Sequence, residues 1–463
     1  MDSPADHSLI IDIGKTTVKC HLLDHAGESL ASSNLANTVV ASSPYPHFDT
    51  ERIWGWLLNT ISRLDNPRAI GAINVTTHGA CAALLDKDGE LALPVLDYEH
   101  TGPQEFSGEY ATIRPDFEQT FSPDLPAGLN LGRQLYWQKK RFREQFETVQ
   151  QILLYPQYWV WRLSDVAVTE LTSLGCHTDL WLPQEQRLSS LATTLGIDNA
   201  FPPTIPAYQA AGKIKPEIAG ATGLSRDCEV YAGVHDSNSS VARYLYSAPQ
   251  RDFTVISTGT WIVTMSVNGS TEGLREDQDT LANVSVLGAP LPSARFMGGR
   301  EFDTLCQLTC ANASDTGMPQ DIETLIRSGV FALPSFADTG GPFNHKAGEI
   351  IGQPHSGRGL ATLYLALMID YELELLGARG DVIFGSFSHK NPLLCQLLAQ
   401  LRPQQRILLS GDTASTVKGA WCLTRWTLPP PPQLGRFDIA APTRLNGLRD
   451  YRGEWRRRCG SRL

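Results

Sequence analysis

Two stretches far apart in the chain share one build, and this recurrence constrains the fold more than any other feature. Residues 9–24 read LIIDIGKTTVKCHLLD: an apolar run, a polar Gly-Lys-Thr-Thr turn and a second apolar run. Residues 253–267 read FTVISTGTWIVTMSV, again apolar, then polar with a glycine, then apolar. Each predicts a β-hairpin, because two runs of strand-forming residues joined by a short polar, glycine-containing turn pair with each other. A hairpin opening each half of a chain is an internal repeat at the level of the motif. A chain of 463 residues also exceeds what one ordinary core supports, so two or three domains are expected.

The rest of the pass alternates helix and strand. Ile53, Trp54, Leu57, Leu58, Ile61 and Leu64 carry a helical period over 51–64. Residues 70–77 read as a buried strand running into Thr77-His78-Gly79, and 82–95 as a hairpin turning at Asp86-Lys87-Asp88-Gly89. Residues 128–150 and 151–163 predict helices, 230–234 a short strand, and Asp236 onward a helix. Further on, 358–378 predicts a long apolar helix, 381–385 a strand into a loop, 391–401 a helix, 407–409 a strand, and Ala414 the start of another helix. The expected division is 1–246, 247–428 and a polar tail, 429–463, read as a surface segment without chemistry.

Charge and cysteine usage narrow the class. A net charge of −10 gives no reason to expect nucleic acid or an anionic membrane as partner. The nine cysteines are scattered and odd in number, which does not make a disulfide framework. Cys306 and Cys310 stand four apart on an expected helix, but no second pair completes a metal site, and buried thiols are the reading. The first residues lack a basic segment and a long apolar stretch, and no uncharged apolar run reaches membrane-spanning length. A cytoplasmic protein is expected.

Several turns could carry chemistry. In Asp12-x-Gly14-Lys15-Thr16-Thr17, glycine permits close backbone approach, N–H and hydroxyl groups can face phosphate oxygens, and a strand-end carboxylate can hold hydrated Mg²⁺. The same stretch also makes an ordinary polar hairpin turn. Thr258-Gly259-Thr260 repeats both readings, and two such turns in one chain suggest a clamped polyphosphate. In Gly233-Val-His235-Asp236, a strand ends where a helix begins. Asp236 there is either a helix N-cap or a general base accepting the proton of an attacking hydroxyl. His235 reads as a structural or substrate-side group. His78 and Gly79 end another strand, where a neutral imidazole can bond a sugar hydroxyl or simply be a satisfied loop residue. Tyr98 and Glu99 offer an aromatic face and a carboxylate, suited to a polyol or to a plain loop.

Taken in order from about residue 8 to about 425, these pieces resemble the FGGY family of carbohydrate kinases, within the actin–sugar kinase–heat-shock-protein superfamily. Asp12-Ile-Gly-Lys-Thr-Thr17 resembles its first phosphate loop, and Ser257-Thr-Gly-Thr-Trp261 its second. Gly233-Val-His-Asp236 resembles its catalytic loop, in wording close to rhamnulokinase-type members. Tyr155-Pro-Gln-Tyr-Trp-Val-Trp-Arg-Leu-Ser164, with Thr169-Glu170 and Thr172-Ser173, resembles its helix and Thr-rich segment. The resemblance implies an α/β fold: two actin-like (ribonuclease H-like) lobes with mixed five-stranded sheets around a central cleft. It implies an ATP- and Mg²⁺-dependent phosphotransferase with an alcohol acceptor, a small sugar as partner and, at the level of the family, a homodimer. Asp236 would be the catalytic base and Asp12 would help place Mg²⁺ through water. Gly14, Lys15, Thr16, Thr17, Thr258, Gly259 and Thr260 would contact ATP phosphates. Gly385, Ser386 and Asn391 would meet the nucleotide, and His78, Gly79, Tyr98, Glu99 and His235 the sugar. The chain departs from the family pattern at four places: Lys15 where Thr or Gln is frequent, Asp97-Tyr98-Glu99-His100 without the usual Arg, Gln157 for a frequent Asp, and Phe384-Gly385-Ser386-Phe387-Ser388 where the adenine-site loop is usually Gly-Gly-rich. The expected acceptor is a ketose such as rhamnulose, fuculose or xylulose. The alternatives are a polyol of glycerol or erythritol type, a non-catalytic sugar sensor, or an actin-like ATPase.

Overall fold

The computed structural model describes residues 6–248, 251–309, 317–385, 391–411 and 415–460. The chain divides into two compact units, each discontinuous in sequence. The first comprises 1–249, 282–290 and 414–435, and the second 250–281, 291–413 and 436–463.

The first unit is built on a mixed sheet of β1 (His7–Ile13), β2 (Thr17–Leu23), β3 (Ser29–Ala36), β4 (Ile70–Thr77), β5 (Ala210–Lys213), β6 (Glu229–Tyr231) and β7 (Val234–His235). Its order is β5-β6-β4-β1-β2-β3, with β7 also beside β4. β1 and β2 form the antiparallel hairpin that the apolar–polar–apolar pattern predicts, with Asp12 opposite Lys19. β1 and β4 run parallel in the middle of the sheet, which is why both are near-continuous apolar runs. The serine-rich β3 lies at the edge and is exposed along most of its length.

Gln151–Leu154, expected as the start of a helix, is instead a strand pairing antiparallel with Ala82–Leu85. The helix begins at Tyr155, with Pro156 in its first turn, where a missing N–H costs nothing. The helix expected over 128–150 is shorter, Leu131–Arg141, followed by a separate turn at Arg143–Phe146.

A second sheet, most of it in the second unit, repeats the plan with β8 (Phe253–Thr258), β9 (Ile262–Val267), β10 (Thr280–Val284), β11 (Pro290–Phe296), β12 (Asp381–Phe384), β13 (Ile407–Leu409) and β14 (Asp438–Ile439). The order is β10-β11-β9-β8-β12-β13-β14, with β8 and β9 an antiparallel hairpin and β8, β12 and β13 parallel. Each sheet therefore has a five-strand core of the same order, a meander followed by two parallel strands, extended to seven by short additional strands. Helix Gly357–Leu375 is buried on nearly every side, consistent with its all-apolar reading.

The tail read as a polar surface segment carries a helix, Leu448–Arg458, whose Leu448, Tyr451 and Trp455 enter the core of this unit. Their three- and four-residue spacing is the apolar stripe of a helix, hidden in the sequence by the surrounding arginines. The described cysteines are free thiols, all buried except the partly buried Cys306; Cys310 lies outside the described residues. No helix among the described residues is long and apolar enough to cross a membrane.

Candidate active site

In the first unit, three parallel strands end at one level. Asp12 on β1 is opposite Thr76 on β4, and Thr77 on β4 is opposite His235 on β7. The carboxyl ends of such strands are where an α/β sheet presents groups to ligands. Asp12, His78, His235 and Asp236 are carried there, together with the β1–β2 turn.

Asp236 is the first residue of helix Asp236–Ser247, and the N-cap position belongs to His235. The carboxylate does not cap the residues two and three ahead. Its Oδ1 accepts from Ser237 N at 2.6 Å and Ser237 Oγ at 3.2 Å, and faces His235 Nε2 at 3.3 Å. Among the described residues no donor reaches Oδ2. One oxygen is anchored and the other is left for chemistry, and the side chain is about one-third exposed. The backbone behind it is also held: Thr172 Oγ1 accepts from His235 N at 3.0 Å, and buried Glu170 accepts from the Thr172 amide at 3.0 Å and its hydroxyl at 2.5 Å. The Thr-rich segment thus positions the backbone that leads into Asp236. Gln157 does the same from the other side, donating to Ala232 O at 2.8 Å.

Asp12 is buried, and desolvation pushes its carboxyl up to about 6. Lys19 pulls it down and the nearby Asp236 carboxylate pushes it further up. The Lys19 ammonium is 3.7 Å away, too far for a hydrogen bond.

His78 Nδ1 lies 3.0 Å from the Gly79 carbonyl. A carbonyl only accepts, so Nδ1 carries the proton and Nε2 is left as a buried acceptor without a partner. Burial holds this imidazole below its ordinary pKa, in the neutral form. Its ring packs against Phe48, Tyr98 and Tyr155 with centroids 5.0, 5.3 and 5.2 Å away. Gly79 backs onto His235, and a Cβ there would lie 2.9 Å from Nε2 of that ring.

The β1–β2 turn is closed by Gly14 N to Thr17 O at 3.0 Å and braced by Asn37, whose Nδ2 donates to Gly14 O at 2.8 Å. Thr16 is exposed and Thr17 partly buried. Lys15, expected on the phosphate side, directs its ammonium elsewhere. It bonds Asp97 Oδ1, lies 3.3 Å from Glu99 Oε2, and sits over the rings of Phe48 and Tyr98 at 5.1 and 4.9 Å.

In the second unit, Thr258, Gly259 and Thr260 line a cavity of about 570 Å³ with Gly299, Arg300, Asp303, Arg358 and Asn391. The helix Gly298–Leu308 starts against the turn, with Gly299 N donating to Thr260 O at 3.2 Å. Only glycine allows this approach, since a Cβ on residue 299 would lie 2.2 Å from Gly259 O. An 11-residue helix beginning there directs its N-terminal partial positive charge at the turn, as anion binding requires. Asn391 caps the helix Pro392–Leu401 and bonds Thr362, so its side chain is already engaged. Gly385 follows β12, with its N–H on Ile256 O at 3.2 Å. Ser386 lies outside the described residues.

Sequence reasoning missed Gly299, Arg300 and Arg358, which no local motif marks, and the role of Asp97. The absence of Arg after Tyr98 was the available signal for that last residue.

Comparison with known proteins bears on family and fold. Residues 7–242 match the model of the FGGY family of carbohydrate kinases, N-terminal domain, and 250–431 that of the carbohydrate kinase FGGY, C-terminal domain. An L-fuculokinase of Haemophilus influenzae is 25% identical over 274 residues, covering 56% of this chain and 57% of the relative. A probable L-xylulose kinase of Pasteurella multocida is 25% identical, covering 59% and 58%. The chain thus spans a little over half the length of these relatives. The solved carbohydrate kinase from Novosphingobium aromaticivorans superposes with a TM-score of 0.91 at 34% identity, covering 99% of both chains. A xylulose kinase from Lactobacillus acidophilus superposes at 0.76 with 16% identity, covering 98% and 99%, which shows the fold alone.

Proposed function

This chain belongs to the FGGY family of carbohydrate kinases, and we propose that it transfers the γ-phosphoryl group of ATP to a hydroxyl of a small ketose of fuculose, xylulose or rhamnulose type. The observation that carries the reading is the Asp236 carboxylate, anchored through Oδ1 and open at Oδ2. Oδ2 takes the proton of the attacking sugar hydroxyl, the hydroxyl oxygen bonds to phosphorus, and ADP leaves with the electrons of the broken P–O bond. His78 Nε2 accepts a second sugar hydroxyl, and Tyr98, Glu99, Gly79 and His235 complete the sugar side. Gly14, Thr16 and Thr17 on one turn, and Thr258, Gly259 and Thr260 on the other, bind phosphate oxygens. Gly385 and Asn391 belong to the nucleotide side.

Mg²⁺ arrives with the nucleotide, and Asp12 fits it. A carboxylate pushed up chiefly by burial, and further by its neighbour Asp236, with its nearest cation Lys19 3.7 Å away, is relieved by a divalent charge. Held through water by Asp12, the ion would offset charge on the phosphates.

The relatives' names favour ketoses over polyols, and the open Oδ2 favours an enzyme over a sensor. The test is ADP release with ketoses and polyols under saturating MgATP, using the wild type and Asp236→Asn. The expected result is turnover of one ketose, reduced at least about 100-fold in the variant, with nucleotide binding unchanged. Sugar-independent ATP hydrolysis, or equal rates in the two proteins, rejects the reading.

A further inference from the structure

The geometry points to Lys15 as a sugar-side specificity residue, and to the acidic pair that holds it as a filter that admits uncharged sugars and rejects sugar acids. This rests on the proposed kinase function and deepens it.

The first observation is where the ammonium lies. Lys15 leaves the β1–β2 turn but folds back, its side chain only 19% exposed, onto the loop carrying Asp97, Tyr98 and Glu99. Asp97, itself buried, accepts one N–H through Oδ1, and Glu99 Oε2 stands 3.3 Å away for a second. An ammonium has three N–H donors, so one remains. The aromatic faces of Phe48 and Tyr98 fix the charge from two sides.

The second observation is independent. The imidazole of His78, 6% exposed, packs against the same two rings, and its Nε2 is a buried acceptor without a partner. A buried orphan acceptor is costly unless a ligand donates to it. Lys15, Asp236 and His235 are its electrostatic neighbours. The subsite therefore brings together the His78 acceptor, the Lys15 ammonium and the Glu99 carboxylate, which is 65% exposed and free to accept a hydroxyl. These are the complements of vicinal hydroxyls.

The charge count sets selectivity. One cation faces Asp97 and Glu99, and Asp236 adds a further carboxylate close to His78. A bound carboxylate would meet net negative charge, and like-charge juxtaposition is the means by which a site rejects an isostere. Lys15, neutralised by the two carboxylates that hold it, thus offers a donor without making the site anion-selective.

The test combines calorimetric sugar binding without nucleotide and steady-state kinetics, with fuculose, xylulose, rhamnulose and gluconate as probes. Lys15→Met keeps the stem and removes the donors. It should weaken ketose binding and raise ketose KM about 10- to 100-fold, while MgATP KM stays within about twofold. Glu99→Gln, at an exposed position that does not threaten folding, should weaken ketose binding less and improve the gluconate-to-ketose affinity ratio. A higher MgATP KM with unchanged ketose KM in Lys15→Met overturns the assignment, as does wild type binding gluconate as well as any ketose, or binding none of the four. An unchanged affinity ratio in Glu99→Gln overturns the filter, and serves alone if Lys15→Met does not fold. Ketose binding that is lost in Lys15→Met, in a wild type that phosphorylates no sugar, sinks the kinase reading and keeps this one.

Discussion

At the scale of single residues, Asp12 makes the most quantitative statement. Its folded-state carboxyl is raised from 3.8 to about 6, chiefly by burial. Between those values the folded chain keeps a proton that the unfolded chain has lost, so raising pH through this window weakens the fold. The cost is complete above about 6. Cation binding runs the other way, because a protonated Asp12 cannot hold hydrated Mg²⁺. We therefore expect kcat/KM for MgATP to fall about tenfold per unit below pH 6, a limb that Asp12→Asn removes along with most of the activity. Without ligand, Asp12→Asn should raise stability by about 1–3 kcal/mol at pH 8 and leave it nearly unchanged at pH 4, read from urea midpoints. Asp236 and His78 show the same economy: each has one polar atom tied to the protein and one left over.

At the scale of elements, the helix that begins at Asp236 is placed by its contact with helix Ser415–Leu423 in the same unit. The two approach so closely that a Cβ on Gly419 would lie 1.6 Å from the carbonyl oxygen of Ser239, three residues past Asp236. Ser239 Oγ donates to Thr416 O at 2.7 Å, which fixes the crossing. Small residues at a helix crossing let backbones meet, and there is no space for even one methyl group. Gly419→Ala should cost about 3 kcal/mol in chemical denaturation, the upper end for overpacking. By displacing Asp236, it should also lower kcat more than it raises either KM. Full turnover in a stable Gly419→Ala would show that this contact does not set the position of the base.

At the scale of the whole molecule, one strand order is used twice, with the chain returning to each unit after leaving it. The last return, 436–463, is structural for the second unit. Trp455 is fully buried and donates to Ala332 O at 2.7 Å, and Tyr451 stacks on Phe331 at 4.4 Å. Arg456 and Arg402 reach the fully buried Asp370 side chain at 2.8 and 3.1 Å, an arrangement in which losing either charge class leaves the other stranded. Trp455→Ala should cost about 3–5 kcal/mol. Hydrogen exchange should place the loss in 251–281, 291–411 and 436–460. Faster exchange confined to the tail helix would show that the helix is peripheral.

The local pattern alone determined the hairpins, the strand at 70–77, the long apolar helix and the candidates Asp12, His78 and Asp236, because hydrophobic period and turn chemistry are nearest-neighbour properties. Order along the chain also exposed the family, since several weak motifs in sequence are specific together. Tertiary structure decided the rest. Whether 151–154 is helix or strand depended on a partner seventy residues away. Whether the arginine-rich tail is core depended on what Trp455 meets. Lys15 sits in a polar turn that reads as a phosphate loop, and only the acidic loop across from it draws its charge to Asp97 and Glu99. A sequence states which charges a chain carries, but an ion pair between residues 15 and 97 depends on the fold that brings them within reach.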